Sequence, residues 1–399
     1  MSKTDVNLLS QGGYGCVYHP SLDCKARNSN NKNKITKLQI SKQDVENELG
    51  IGNALKNIRK HENHFGTLDK SCQDLSLKQI EQTGLLKECE LKESDTYILT
   101  DMRYIQGDTL KNYLYKIKSP EIICYKMIEI YRQLIISVEK MQNASVIHND
   151  LKSSNIMFDV MKQLPIIIDF GISFFSNRWR GNLKHIFFSY EPRYMLMAPE
   201  IHFLSYLLHM DKEKLKEFNQ DKNKVCERIA TEIVHNISVF HVSFSKSFRQ
   251  KYLQNLIKYF QEVIVDFQPD KENAETFYTK HYEPICNTWD IYSISIMYFQ
   301  LLENVFQNRF PKVEFLEKMT HHLFLNMHPD PRKRRTTKQV LKEYNVFLTQ
   351  HKIRDVFIES SRFAKHKYYE KQLLEMVKQE RISEKLSEEI KESRYANKV

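Results

Sequence analysis

The feature that most constrains this chain is a polar loop, residues 147–155, with the sequence Ile-His-Asn-Asp-Leu-Lys-Ser-Ser-Asn. Apolar residues stand on both sides of this loop, and a second apolar run further along the chain ends abruptly on Asp169. This succession of short apolar runs and polar loops predicts two buried strands, each with a carboxylate at its mouth.

Four side chains around these strands have the chemistry that phosphoryl transfer needs. Asp150 can orient a hydroxyl nucleophile, and Lys152 can neutralise charge on the transferred group. Asn155 and Asp169 offer the hard oxygen atoms that Mg²⁺ prefers as ligands. The spacing of the four residues therefore favours a magnesium-dependent phosphotransferase.

Length and composition limit the classes of protein to be considered. The chain of 399 residues is long enough for one large bilobal domain or two ordinary domains. Its content of 41% hydrophobic and 28% charged residues is typical of a soluble folded protein. No apolar run is long enough to span a membrane, so no transmembrane segment is expected.

The seven cysteines are scattered along the chain and include no Cys-x-x-Cys pair. Such a set argues against a disulfide framework or a zinc cluster, and it predicts an intracellular, cytoplasmic location. The net charge of +10 would suit acidic partners, but a merely basic, solvated surface explains it equally well.

A glycine-rich turn near the N-terminus is the first candidate for a phosphate-binding element. The sequence Ser-Gln-Gly-Gly-Tyr-Gly, residues 10–15, separates two predicted strands at residues 6–9 and 16–18. Glycine allows backbone N–H groups to approach phosphate oxygens closely. Many hairpins contain glycine, so the turn gains its meaning from the motifs that follow it.

Those motifs occur in a fixed order. Asp-Phe-Gly occupies residues 169–171, Ala-Pro-Glu residues 198–200, and Asp-Pro-Arg-Lys-Arg-Arg-Thr residues 330–336. Together with the polar loop and the glycine-rich turn, they resemble the protein kinase superfamily over roughly residues 6–340. The general style of the chain also resembles kinases of large cytoplasmic DNA viruses.

The resemblance implies an α+β bilobal kinase fold with a small β-rich N-lobe and a larger helical C-lobe. We place the N-lobe at residues 1–105, the C-lobe at 106–345 and a charged helical tail at 346–399. The C-lobe is expected to carry a helical insert at residues 201–280, with helices near 211–218, 222–240 and 248–265. Residues 61–95 show no clear hydrophobic pattern and are interpreted as two strands joined by polar loops.

The resemblance also implies the site residues. Asp150 and Lys152 would be catalytic, and Asn155 and Asp169 would bind Mg²⁺. Met102 would be the gatekeeper before the hinge. ATP would be held by residues of the glycine-rich turn, the N-lobe and the hinge, namely Leu9, Gly12, Gly13, Gly15, Val17, Lys37, Glu48, Met102, Arg103, Tyr104 and Asp108.

Two charged pairs are expected from the same comparison. Lys37, on an alternating strand, should pair with a glutamate of the next helix, and Glu48 is preferred to Glu46 because it shares a helical face with apolar residues. Glu200 should form a buried pair with Arg334. The basic cluster around Arg334 has an alternative interpretation as a nuclear-localisation or nucleic-acid-binding patch.

The leading functional hypothesis is an ATP-dependent serine/threonine protein kinase that acts on protein substrates. Lys152 favours this version of the loop over the tyrosine-kinase version. The alternatives are a pseudokinase scaffold that binds partners through the insert and tail, and a small-molecule kinase. No clear nucleic-acid site is expected.

The chain departs from the family at two places. Asn149 replaces the arginine that usually precedes the catalytic aspartate, and residues 192–197 contain no threonine. Because asparagine is a weak partner for a phosphate dianion, activity without activation-loop phosphorylation is expected. The loop would instead be held by its own aromatic residues, namely Phe174, Phe175, Phe187, Phe188 and Tyr190.

Overall fold

The computed structural model describes residues 6–12, 15–72, 74–81, 85, 89, 94, 96–118, 120–180, 182–269, 271–306 and 314–350. The predicted nucleotide-binding Gly13 lies outside the described residues, as does the predicted helical tail from residue 351 onward. The chain divides into two units, one of Met1–Leu110 with Ser154–Phe175, the other of Lys111–Ser153 with Ser176–Val399.

The first unit contains a six-stranded antiparallel sheet. Its strands are β1 (Asn7–Gly12), β2 (Gly15–His19), β3 (Lys34–Gln39), β5 (Leu68–Ser71), β6 (Leu75–Ser76) and β7 (Thr96–Arg103). They are ordered β1-β2-β3-β7-β5, and β6 also pairs with β7. The register sets Lys37 between Val17 on β2 and Thr100 on β7, so its backbone is paired on both sides.

A second, four-stranded sheet of the same unit is ordered β4-β11-β10-β8. Its strands are β4 (Phe65–Gly66), β8 (Gly107–Thr109), β10 (Ile156–Asp159) and β11 (Leu164–Ile168). A Cβ atom at Gly107 would lie 1.9 Å from the carbonyl oxygen of Phe158, so only glycine allows β8 to pair with β10 here. The hairpin β10–β11 places Asn155 just before one strand and Asp169 just after the other.

The grouping of Ser154–Phe175 with the first unit follows from this sheet, because β10 and β11 pair with β8 and β4. Such a grouping reflects packing within a sheet rather than the division into lobes. The lobe boundaries at residues 105 and 345 therefore remain predictions.

Helix α1 (Lys42–Lys56) of the first unit begins at Ser41, whose side chain accepts a hydrogen bond from the Asp44 backbone N–H. It buries one face that contains Glu48 among apolar residues. The interpretation of residues 61–95 as two strands is wrong in part. Besides short strands, this region contains a 3₁₀ turn at His61–Asn63, and a helix, α2 (Leu77–Glu81), built from good helix formers.

Four of the seven cysteines are paired, which corrects the expectation of no disulfide framework. Cys16 is joined to Cys89, and Cys24 to Cys72, all within the first unit. The partners lie 73 and 48 residues apart in the chain. Separations of this size have no local spacing signature, so only the folding of the sheet brings the partners together. Cys226 and Cys286 are free and buried.

The second unit is mainly helical. Its helices, in chain order, are α3 (Leu110–Lys116), α4 (Pro120–Asn143), α5 (Leu183–Ile186), α6 (Pro199–Leu208), α7 (Lys212–Gln220), α8 (Lys222–Asn236), α9 (Ser238–Ser243), α10 (Lys246–Ile264), α11 (Lys271–His281), α12 (Trp289–Phe306), α13 (Glu314–Leu325) and α14 (Thr337–Gln350). The short strand β9 (Val146–Ile147) also belongs to this unit, whereas β12 (Phe174–Phe175) belongs to the first unit. No helix among the residues that the structure describes is long and apolar enough to cross a membrane.

The predicted insert is helical, as expected, and its helices start at polar caps. Asp211, Asp221 and Ser245 each accept a hydrogen bond from a backbone N–H in the first turn of α7, α8 and α10. The single helix predicted at 222–240 is instead two helices, because the backbone leaves the helical conformation at Ile237. Helix α11 was not predicted.

A buried ion pair joins α6 to the segment before α14. Both terminal guanidinium nitrogens of Arg334, Nη1 and Nη2, donate to Glu200, at 2.6 and 2.9 Å, and both side chains are fully buried. Trp289 donates its indole N–H to the same carboxylate at 2.8 Å. Burial opposes the charge of Arg334, but the Glu200 carboxylate raises the Arg334 pKa above its ordinary value. The pair expected from the sequence is present, and the basic-patch interpretation of Arg334 is not needed.

We predict that Arg334→Ala lowers the free energy of unfolding by roughly 3–5 kcal/mol, because Glu200 would be left as a buried, unpaired charge. Arg332→Ala is the matched control. The Arg332 side chain is half exposed and pairs with Glu262 and Asp330 near the surface, so its loss should cost about 1 kcal/mol or less. Denaturant unfolding followed by circular dichroism measures both, and equal losses would contradict the role of the buried pair.

Candidate active site

Lys37 is the centre of a charged cluster in the first unit. Its ammonium group lies 3.1 Å from a carboxylate oxygen of Glu48 and 3.1 Å from one of Asp169. Burial alone would lower the Lys37 pKa, but the two carboxylates outweigh it and raise the pKa above its ordinary value. Lys37 is therefore a fixed cation, held by one residue of α1 and one that follows β11.

The choice between the two candidate glutamates is decided by the face of α1 on which each lies. Glu48 is buried beside Lys37 and also accepts a hydrogen bond from Gln39 at 3.4 Å. Glu46 is exposed on the other side of the helix. The pair expected from the helical periodicity is the one that forms.

Asp169 and Asn155 carry the oxygen atoms predicted to bind magnesium. Asp169 has a φ of +64°, a left-handed conformation that aspartate tolerates better than most residues and that is concentrated at functional sites. Asn155 is buried directly before β10. The Asp169 carboxylate, which contacts Lys37, and the Asn155 amide are oxygen donors of the kind that Mg²⁺ takes, and their binding of one ion remains a prediction.

The glycine-rich turn joins β1 to β2. Gly12 pairs with Gly15 at the end of the two strands. At Gly15, where φ is +156°, a Cβ atom would lie 2.3 Å from the Leu38 carbonyl oxygen, so glycine is required. Leu9 on β1 is exposed and Val17 on β2 half-buried, and their contacts with a nucleotide remain predictions.

The predicted hinge lies at the end of β7. Met102 is buried, and Tyr104 stacks on His19 with ring centroids 4.3 Å apart. The Arg103 guanidinium pairs with Asp159 at 3.3 Å and donates to the Glu62 carbonyl at 2.9 Å. The Arg103 side chain is thus held in the first unit by its own partners, while Asp108 lies on β8.

In the second unit, Asp290 at the start of α12 holds the polar loop. Its carboxylate accepts hydrogen bonds from the backbone N–H groups of His148, at 3.0 Å, and Asn149, at 3.1 Å. Burial raises the pKa of Asp290, while His148 and the two amides oppose this shift. Asn149 has a φ of +65°, so the loop turns sharply just before Asp150.

Both carboxylate oxygens of Asp150 have partners in the second unit. Lys152 donates to one of them at 2.7 Å, and the hydroxyl of Tyr194 donates to the other. Tyr194 was missed in the sequence because a threonine was sought in residues 192–197. The hydroxyl that contacts Asp150 belongs to a tyrosine instead, and the residue type alone does not reveal this contact.

His202, a fully buried residue of α6, fixes the backbone next to this hydroxyl. Its Nε2 atom donates to the carbonyl oxygen of Tyr194 at 3.1 Å. Burial lowers the His202 pKa to about 4, and the hydrogen bond to Tyr194 offsets only part of this shift. His202 is therefore neutral at physiological pH, and its proton is on Nε2.

The segment that follows Asp-Phe-Gly packs its aromatic rings against the helices of the second unit. The ring of Phe187 lies 5.7 Å from that of Tyr278 on α11 and 5.8 Å from that of Trp289. Trp179, which the sequence did not single out, is buried against Tyr278 at 4.6 Å. The expectation that Phe188 contributes to this packing is wrong, because its side chain is 52% exposed.

Comparison with known proteins agrees with this geometry. Residues 5–202 match the protein kinase domain. The matches support membership of the eukaryotic protein kinase superfamily. The match ends within α6, so Asp290 and Arg334 of the second unit lie outside the matched residues.

Two curated proteins from Dictyostelium discoideum are similar to part of this chain. The chain is 40% identical to the probable serine/threonine-protein kinase fnkB over 79 residues, which is 20% of this chain and 14% of that protein. It is 33% identical to the dual specificity protein kinase zakA over 86 residues, which is 22% of this chain and 11% of that protein. The chain thus spans only a small part of the length of these relatives.

We predict that the stability of the folded chain falls steeply in acid because of His202. The unfolded state binds a proton near pH 6.5 and the folded state only near pH 4, so stability is lost as the pH falls between these values. The shift corresponds to roughly 3 kcal/mol. His202→Gln keeps a donor for the Tyr194 carbonyl but does not titrate, so it should lose less stability over this range.

The measurement is denaturant unfolding of both proteins at a series of pH values from 7 to 4. Burial also lowers the pKa of His322 and His328. Those residues are unchanged in the variant, so they contribute equally to both curves. Parallel curves for the two proteins would contradict the assignment to His202.

Proposed function

We propose that the chain is an ATP-dependent serine/threonine protein kinase that transfers the γ-phosphoryl group to hydroxyl groups of protein substrates. The observation that carries this proposal is the position of Lys37 between Glu48 and Asp169. A buried lysine held by two carboxylates is a costly arrangement for folding alone, and it suits a cation that binds phosphate.

Within the first unit, the glycine-rich turn and Lys37 hold the triphosphate. The amide oxygen of Asn155 and the carboxylate of Asp169 hold Mg²⁺. When bound, Mg²⁺ neutralises charge that develops on the phosphate oxygens. Asp169 serves both cations, because one of its oxygens already contacts Lys37 and thereby fixes the orientation of the carboxylate.

Within the second unit, Asp150 orients the acceptor hydroxyl and takes its proton. Lys152, on the other carboxylate oxygen, neutralises charge on the transferred group. The loop is fixed in advance by Asp290, so little reorganisation accompanies the reaction. Most of the acceleration then comes from positioning and from charge stabilisation.

Activity without activation-loop phosphorylation is part of the proposal. Asn149 provides no cation for a phosphate, and its side-chain oxygen is buried without a hydrogen-bond partner among the described residues. The activation segment is held instead by Phe187 and Trp179, and by His209, which donates to the Phe187 carbonyl at 2.8 Å. This packing orders the activation segment, as a pair between a phosphate and an arginine does in kinases that have arginine before the catalytic aspartate.

The cytoplasmic location and the resemblance to viral kinases stay predictions. The two disulfides are of a kind usually found in oxidising environments, so they do not favour a reducing cytoplasm.

We predict that Lys37→Met and Asp169→Ala each lower the turnover number for phosphoryl transfer by at least about 100-fold, because each removes a charged contact to the phosphates or the metal. Lys34→Met is the matched control. Lys34 lies on the same strand, but its ammonium group pairs with Asp69 at 3.0 Å and its side chain is partly exposed. This variant should keep most of the activity.

The assay follows transfer of radiolabelled phosphate from ATP to basic, acidic and generic protein substrates and to small alcohols. Circular dichroism checks that each variant is folded. Wild-type turnover in folded Lys37→Met would remove the kinase assignment. Transfer to small alcohols alone would favour a small-molecule kinase, and no transfer by the wild-type chain would favour a scaffold.

We further predict that enzyme treated with phosphatase keeps its activity. Mass spectrometry confirms the loss of phosphate, and transfer to a protein substrate is then measured. A collapse of activity that returns when Ser173, Ser176 or Ser189 is rephosphorylated would contradict the inference drawn from Asn149.

A further inference from the structure

The two disulfides of the first unit differ in their access to solvent. The Cys16–Cys89 bridge, the buried bridge, is enclosed in the hydrophobic core, where Cys16 is 1% and Cys89 is 5% exposed. In the Cys24–Cys72 bridge, the exposed bridge, Cys24 is exposed and Cys72 is half-buried at the edge of that core. Because thiol–disulfide exchange requires access to a sulfur atom, the two bridges should differ in reactivity.

Cys24 lies in a compact hairpin of residues 21–31 that has its own stabilising contacts. The backbone N–H of Asp23 donates to the Arg27 carbonyl oxygen at 2.7 Å, and the Arg27 guanidinium pairs with the Asp23 carboxylate at 2.7 Å. Leu22 and Ala26 bury their side chains in the core of the first unit. None of these contacts involves the bridge, so the hairpin should keep its conformation when the bridge is open.

The same hairpin is attached to β3 next to Lys37. The backbone N–H of Leu22 donates to the hydroxyl oxygen of Thr36 at 2.8 Å. The Thr36 hydroxyl in turn donates to the Asp101 carboxylate on β7 at 2.9 Å. One end of the exposed bridge is therefore linked to the residue that directly precedes the buried lysine.

The other end of the exposed bridge is linked to α1. Cys72 directly follows β5, and the ammonium group of Lys56 on α1 donates to the carbonyl oxygen of Leu68 on β5 at 2.6 Å. Helix α1 carries Glu48, which pairs with Lys37 at 3.1 Å. The exposed bridge thus joins an element that positions Lys37 to an element that positions Glu48.

We propose that the exposed bridge is a site of thiol–disulfide exchange with a dithiol reductant, and that its opening weakens nucleotide binding by the first unit. A thiolate of the reductant attacks the Cys24 sulfur to form a mixed disulfide, and Cys72 leaves as a thiolate. The second thiol of the reductant loses its proton to water, attacks the mixed disulfide and releases Cys24 as a thiolate. The bridge gains two electrons, and the reductant becomes a disulfide. The effect on nucleotide binding rests on the proposed kinase function.

The buried cysteines should take no part in this exchange. Burial raises the pKa of the free thiols of Cys226 and Cys286 to about 12, so little of either is present as the reactive thiolate at neutral pH. The buried bridge is shielded by the core, and by joining residues 73 positions apart it continues to stabilise the first unit. Opening of the exposed bridge should therefore leave the chain folded.

The first test compares the two bridges in the full chain, oxidised with glutathione disulfide. Samples at rising dithiothreitol concentrations are alkylated with iodoacetamide, and the labelled cysteines are identified by mass spectrometry. We expect the exposed bridge to be labelled at a dithiothreitol concentration at least about tenfold below that for the buried bridge, because exposed disulfides are more readily reduced. Labelling of both bridges at one concentration, or failure of the exposed bridge to form, would overturn the proposal.

The second test measures nucleotide affinity of the same samples by titration with Mg²⁺ and a fluorescent ATP analogue. Opening of the exposed bridge alone should raise the Kd about fivefold or more, within the usual range of coupling between two sites. Reoxidation with glutathione disulfide should restore the affinity. An equal Kd for the closed and opened forms would overturn the inference and leave the kinase assignment standing.

Variants separate the bridge from other effects of the reductant. The chain with Cys24→Ser and Cys72→Ser should bind nucleotide with the raised Kd before any reductant is added. Cys226→Ala, which removes a thiol but breaks no bridge, is the matched control and should bind like the wild-type chain. Circular dichroism checks folding, and if the serine variant is unfolded, the wild-type sample with only the exposed bridge open decides.

Failure of the proposed function has a different result. If the oxidised wild-type chain binds no nucleotide, the kinase proposal and the effect on nucleotide binding both fail. The order of labelling is measured without nucleotide, so it still decides whether the exposed bridge is an exchange site.

Discussion

The second unit depends on one buried carboxylate. Asp290 is fully buried, and its carboxylate accepts hydrogen bonds from the backbone N–H groups of His148 and Asn149. Removing a carboxylate from water is unfavourable, and the hydrogen bonds from these two amides offset part of that cost. The same hydrogen bonds fix the position of the loop backbone. The preceding residue of α12, Trp289, donates to Glu200, so one helix start holds both the polar loop of residues 147–155 and the buried ion pair.

The helical insert contributes to the same organisation. Tyr278 on α11 packs on Trp179 and Phe187, Glu232 on α8 accepts from Tyr190, and Ser238 on α9 contacts Met195. Each contact joins the insert to the segment after Asp-Phe-Gly. Helices of the insert thus brace this segment within the second unit.

The sequence was sufficient where a motif combined residue type with spacing. The pairs Lys37–Glu48 and Glu200–Arg334 were both expected from the family resemblance, and both are present. The disulfides were not predictable, since their partners are brought together only by sheet packing. The contact between Tyr194 and Asp150 was not predictable either, because it depends on where the folded chain places the tyrosine hydroxyl.

Tyr194 also changes how the departures of this chain are understood. A neutral residue at position 149 leaves Lys152 as the cation that contacts the Asp150 carboxylate, and the other oxygen receives a phenolic hydroxyl. His202 and Ser293 hold the backbone around Tyr194 by its carbonyl groups, which do not depend on side-chain identity in the segment. Residues 192–197, which contain no threonine, therefore present a tyrosine hydroxyl to Asp150 from a backbone that is held by α6 and α12.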